Sequence, residues 1–209
     1  LLRRRLFAYL ALATVLGGNA EQAARWYRQA EPLPVEIRCE LLQILARRGP
    51  SSGAAAAEWT VALAESLQGA EGVPADLASQ LPTIVAEALA AAGRESEAVE
   101  RYRRLAEAQP NNPDVLESYA TLLARRSDRP SLERALALWR QIERRSREAS
   151  PRWYRAKAAI VSLHLRLGNR EQARKILDLL ELLHPDLGGP PTAETFRALE
   201  RQAAAAPRR

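Results

Sequence analysis

GRESEAVERYRRLAEAQP, residues 93–110, decides the architecture once it is laid beside GNREQARKILDLLELLHP, residues 168–185. Counting from each glycine, a small residue comes first (Ala98, Ala173), then a bulky one (Tyr102, Leu177), an apolar one (Leu105, Leu180) and a proline (Pro110, Pro185), at the same offsets in both. GNAEQAARWYRQAEPLPV, residues 18–35, follows the frame more loosely through Ala23, Tyr27, Ala30 and Val35. The three glycines stand 75 residues apart. Ahead of each, apolar residues recur at helical spacing: Phe7, Leu10, Ala11 and Thr14, then Val85, Ala86 and Leu89, then Ile160, Val161 and His164. A helix, a tight turn and a second helix recurring at a fixed interval are the pattern of a repeat solenoid.

At these residues the chain resembles the tetratricopeptide repeat (TPR) family, whose unit of about 34 residues pairs two antiparallel helices. The resemblance extends over nearly the whole sequence and implies an all-α, right-handed superhelical solenoid. Two less regular units fill the gaps. Cys39, Leu42 and Ala46 pair with Ala55, Trp59 and Ala62, and Leu116, Tyr119, Ala120 and Leu123 pair with Ala135, Trp139 and Ile142. Both depart from the pattern at the turn, through Gly49-Pro50-Ser51-Ser52-Gly53 and Arg126-Ser127-Asp128-Arg129-Pro130. One domain over 1–209 is expected, with five units at 4–35, 36–69, 79–112, 113–149 and 154–187. The stretch 68–75 reads as a loop. Asn112 before Pro113 and Ser150 before Pro151 mark helix starts, since each offers a side-chain acceptor followed by a proline that needs no partner there. After Gly188-Gly189-Pro190-Pro191, a helix over 192–205 is expected to cap the last unit, and 206–209 to fray.

Composition suits a helical protein with a continuous core: 209 residues, 47% hydrophobic, one cysteine. Cys39 sits at an apolar helical position with no nearby histidine or lysine to make a thiolate, so it reads as core. Leu1 to Leu16 has the basic head and apolar run of a secretory signal, yet Phe7, Leu10, Ala11 and Thr14 stay in register with the repeat, which is the preferred reading. The absence of methionine suggests a piece of a longer polypeptide. No run reaches the roughly 20 apolar residues that span a bilayer, and a cytoplasmic location is slightly favoured.

Catalytic chemistry finds little footing. His164 lies at an apolar helical position, His184 beside a helix-ending proline, and neither has metal-ligand spacing. Gly-rich phosphate loops, nucleophile elbows and HExxH are absent. Ser51, Ser52, Ser127, Ser131 and Ser150 sit at turns and helix starts, where capping accounts for them. A non-catalytic chain without cofactor or metal is expected.

Charge is concentrated. Residues 125–155 hold ten arginines against Asp128, Glu133, Glu143 and Glu148, which equals the net +6 of the whole chain. With Trp153 and Tyr154 beside them, these arginines keep polynucleotide binding open as the alternative; an acidic protein partner explains them more economically. A third reading makes the chain the accessory region of an enzyme. The resemblance implies that first helices line a concave groove for a peptide or partner helix. On the face free of packing residues these would be Gln80, Thr83 and Glu87, then Asp114, Glu117, Thr121 and Arg125, then Arg155, Ser162 and Arg166, running from acidic to basic. All four asparagines lie at turns, so recognition of C-terminal carboxylates by groove asparagines is not expected.

Overall fold

The computed structural model describes residues 2–49 and 53–205. Among the described residues there are eleven α-helices and no strand. They fall into two compact units, residues 1–108 and 109–209. In the first, α1 (Leu2–Leu16) pairs with α2 (Ala20–Ala30), α3 (Val35–Arg48) with α4 (Ala54–Leu67), and α5 (Ala75–Ala91) with α6 (Glu95–Ala108). In the second, α7 (Pro113–Arg125) pairs with α8 (Arg129–Arg145) and α9 (Pro151–Arg166) with α10 (Arg170–Leu183), while α11 (Pro190–Ala204) packs on α9 and α10. Of the expected turn at 49–53, residues 50–52 lie outside the described residues, as does the tail at 206–209.

Each of the three matching turns is closed in the same way. Gly18, Gly93 and Gly168 have φ of 84°, 80° and 82°, a left-handed conformation that an L side chain adopts only at a cost. The following amide then reaches back to the carbonyl five residues earlier: Asn19 to Thr14 at 3.0 Å, Arg94 to Leu89 at 2.9 Å and Asn169 to His164 at 2.8 Å. This satisfies carbonyls the helix end would leave unpaired. A Cβ at any of the three would meet nothing within 4 Å, so the backbone angle alone demands glycine.

Helix starts follow local chemistry. Asn112 Oδ1 accepts from the Asp114 and Val115 amides at 3.1 and 3.4 Å, and Ser150 Oγ from the Trp153 amide at 3.3 Å. Asp128 accepts from the Ser131 amide at 2.9 Å, with Pro130 tolerated in the first turn of α8. Arg129 and Pro130, read from the sequence as part of the turn, thus belong to α8. α5 likewise starts at Ala75, ahead of the expected boundary at 79, and carries Pro82 in its interior.

Packing obeys the repeat frame. Ala98 and Ala173 are completely buried, and Tyr102, Leu105, Leu177 and Leu180 are buried around them. α4 corrects the sequence reading. Ala55, Trp59 and Ala62 were expected inside, but Ala56, Ala57, Thr60, Val61, Leu63, Ala64 and Leu67 form the buried face. α4 is apolar on nearly every side, so periodicity could not choose a face, and Trp59 instead lies half-buried, edge-on to Tyr27 at 5.3 Å. In the second unit, Phe196, Leu199 and Ala203 of α11 join Trp153, Tyr154, Leu177 and Leu180 in one cluster. Gly188 passes so close that a Cβ there would stand 2.7 Å from the Tyr154 ring.

Ala98→Leu or Ala173→Leu is expected to cost about 1–3 kcal/mol in urea unfolding, because two helices meet at a side chain with no spare volume. Gly93→Ala should cost about 1–2 kcal/mol through its backbone angle alone. Gly188→Ala should cost more than Gly93→Ala, since the ring contact adds to the same backbone demand.

Candidate functional site

In the first unit, α3 and α5 present a shallow hollow of about 190 Å³. Gln43, Ala46 and Arg47 come from α3, and Asp76, Leu77, Gln80 and Ile84 from α5. Gln80 is exposed and donates to the Asp76 carbonyl at 3.1 Å. Through Ala46 and Ile84 the hollow adjoins a smaller apolar recess of about 40 Å³, where Leu45, Ala57 and Ala88 stand beside Glu87. Glu87 is exposed beside this recess and faces no cation within ion-pair distance among the described residues. Burial pushes its carboxyl above the ordinary range. Thr83, half-buried, lies on the same helix.

In the second unit the structure brings Asp114 and Glu117 of α7 against Arg155 of α9 and against Arg152, which sequence reasoning did not select. Arg155 Nε lies 2.7 Å from Glu117 Oε1, Arg152 Nε lies 3.1 Å from Glu117 Oε2, and Arg152 also pairs with Asp114. Burial pushes the Glu117 carboxyl up, but the hydrogen bonds from Arg155 and Arg152 outweigh it and hold the group below its ordinary value. At the other end of α7, Arg166 donates to the Ala124 carbonyl and, at 2.6 Å, to that of Arg126, placing positive charge where the helix exposes unpaired carbonyls. Asp114, Glu117, Arg155 and Arg166 therefore tie α7 to α9. Thr121 and Arg125 remain exposed, and Ser162 is half-buried.

A signal for Arg152 exists in the sequence. Arg5–Glu40, Glu58–Arg94, Glu65–Arg101 and Glu117–Arg152 are separated by 35 or 36 residues, about one repeat, so opposite charges recurring at the repeat length mark neighbouring helices of like position.

The aromatic side chains of the arginine-rich segment are not available for stacking. Trp139, Trp153 and Tyr154 are 5, 8 and 5% exposed. Trp153 is covered by His184 and by Lys157, whose Nζ lies 2.7 Å from Glu143. His164 is buried, its Nε2 3.2 Å from an Arg140 nitrogen. Burial, and then the Arg140 charge, lower its pKa, so it is a neutral core histidine. Cys39 is buried and burial raises its thiol. Among the described residues no three His, Cys, Asp or Glu side chains converge as a metal site, and no helix is long and apolar enough to cross a membrane.

No protein-family model matches the chain, and no curated protein matches it in sequence. In fold it is similar to a solved structure, that of a Podosopora anserina protein described as a kinesin light chain with nearly identical TPR-like repeats, at a TM-score of 0.50 and 18% identity over 98% of both chains. The chain has an all-α, TPR-like repeat fold.

Two carboxylates should respond to acid in opposite directions. The folded pKa of Glu117 lies below its unfolded value, so its stabilisation is present above the ordinary carboxylate value, about pH 4, and is lost as the pH falls through the folded pKa. Glu117→Gln should flatten that acid limb in pH-dependent urea unfolding. The folded pKa of Glu87 is raised, so its charged form opposes folding at neutral pH. Glu87→Gln should stabilise at pH 7, with the gain vanishing once the pH falls below about 4.

Proposed function

We propose that this chain is a module that holds another protein, with a peptide or helix of the partner lying, within a unit, on the exposed faces of its first helices, α3 and α5 or α7 and α9. The observation that carries this reading is the α3–α5 face. It combines a hollow with an apolar floor, polar side chains around the rim, and one partly desolvated carboxylate, Glu87, that no cation faces among the described residues. Partial desolvation of a charge without a partner opposes folding, and a lysine or arginine arriving on a ligand would offset that cost. In the second unit Thr121 and Arg125 offer polar and basic contacts for an acidic stretch of a partner.

Support for polynucleotide binding through residues 125–155 is weaker. Its aromatic side chains are in the core, which removes the base-stacking platform such a surface uses. Several of its arginines, Arg126, Arg129, Arg152 and Arg155 among them, already pair with carboxylates.

A photo-crosslinking amino acid placed at Gln80 or Thr121 should yield discrete protein adducts in cells expressing the chain, while the same group at Arg104 or Arg134, exposed on second helices, should yield few. Equal adduct formation from all four positions would refute a first-helix docking face.

A further inference from the structure

Three arginines converge where α7 begins, α8 ends and α9 begins. Arg145, Arg147 and Arg152 line a hollow of about 260 Å³, with Ser150 and Asn111 on its walls and Leu116 and Ile142 as an apolar floor. We propose that this hollow binds a dianionic phosphate monoester carried on a serine or threonine side chain of a partner peptide. The inference rests on the reading of the chain as a protein-binding module and names a chemical group that the module selects.

The first argument is charge. Arg145 donates only to neutral acceptors, the Pro110 carbonyl at 2.8 Å and Asn111 Oδ1 at 2.7 Å. Arg147 is exposed and has no ion pair among the described residues. Arg152 and Arg155 share Asp114 and Glu117. Four guanidiniums thus face two carboxylates, and two positive charges stay uncompensated. Glu148, next to Arg147 in the chain, does not line the hollow and hydrogen-bonds His184 Nε2 at 3.1 Å. A carboxylate ligand would balance one of the two charges; a phosphate monoester, at close to two negative charges near neutral pH, balances both.

The second argument is the supply of donors. A guanidinium has five N–H groups. Arg145 commits Nη1, leaving Nε and Nη2; Arg152 commits Nε and Nη2, leaving Nη1; Arg147 keeps its whole fork. Ser150 Oγ accepts from the Trp153 amide and retains its own hydrogen to donate. Because Arg145 and Arg152 are already held by these bonds, little conformational freedom remains to be lost on binding. The hollow is also smaller than the roughly 300–1,000 Å³ usual for small-molecule pockets, which suits an anionic head group brought in on a chain. With no aromatic side chain exposed beside it, the site offers nothing to a base, and peptide is favoured over polynucleotide.

The test is calorimetric titration of the whole chain with four probes: inorganic phosphate, a short peptide with one central phosphoserine, the same peptide unphosphorylated, and a ten-nucleotide oligothymidylate. Wild type is compared with Arg147→Gln, which breaks no bond of the fold, and with Arg134→Gln, an equal charge change at an exposed position of α8. The phosphopeptide should bind at least tenfold more tightly than its unphosphorylated form, and inorganic phosphate should displace it. Arg147→Gln should weaken it by about tenfold, the loss expected for a charge-assisted hydrogen bond, while Arg134→Gln changes it less than twofold. Equal weakening by both variants, no preference for the phosphorylated peptide, or oligothymidylate binding as tightly as the phosphopeptide would each overturn the proposal. Crosslinks from Gln80 and Thr121 that persist when phosphate fails to bind would sink the phosphate site and leave the first-helix docking face intact; phosphopeptide binding without those crosslinks would sink that docking face and leave the phosphate site intact.

Discussion

The left-handed backbone at Gly18, Gly93 and Gly168 is the constraint on which the helix pairs depend. A helix running into such a residue cannot continue, and the amide that follows is turned back onto the preceding turn, where it satisfies a carbonyl. The chain then leaves in a direction that lays the next helix against the one just completed. The fully buried alanines five residues on, Ala98 and Ala173, let that helix approach closely, and Tyr102 or Leu177 fills the space one turn later. Angle, small residue and bulky residue act in that order. Without the first, the other two would have nothing to pack against.

A second level of order comes from charges placed about one repeat apart. Pairs such as Arg5–Glu40, Arg94–Glu58, Arg101–Glu65 and the Arg152–Glu117–Arg155 cluster link helices of neighbouring pairs within each unit. Most are well exposed, and exposed ion pairs add little to stability. Their use is geometric: apolar faces rich in alanine and leucine can slide, whereas a fork gripping a carboxylate favours one register. Arginine suits this better than lysine. Arg94 binds Glu97 through two nitrogens and Glu58 through a third, a geometry that a single ammonium cannot reproduce.

The arginine-rich segment shows how one compositional feature divides once it is folded. Arg129 and Arg126 pair with carboxylates close by in sequence, while Arg152 and Arg155 hold α9 to α7. Arg140 lies beside the core histidine His164. Arg145 and Arg147 keep charge that no carboxylate among the described residues meets, and they do so side by side at the rim of one hollow. An excess of charge in a sequence is a sum. A site depends on which members of that sum are left over and whether they are neighbours.

The sequence by itself determined the all-α repeat, the positions of the three glycine turns and the helix starts at Asn112 and Ser150, because each of these rests on interactions within about one helical turn of the residue concerned, and it placed the buried alanines through their fixed offset from the turn glycines. It also marked His164, Cys39 and Trp139 as core. The tertiary structure alone decided which face of α4 is buried, since Ala56, Ala57 and Val61 are no more apolar to the eye than Ala55, Trp59 and Ala62. It alone bound Glu117 to Arg152 and Arg155 and Arg166 to the carbonyls at the end of α7 while leaving Glu87 without a counter-charge among the described residues, and it alone drew Trp153 and Tyr154 out of solvent under Lys157, His184 and α11. Local geometry is written in the order of residues, but whether a charge or a ring is free depends on what arrives beside it from another repeat, some 35 residues away or more.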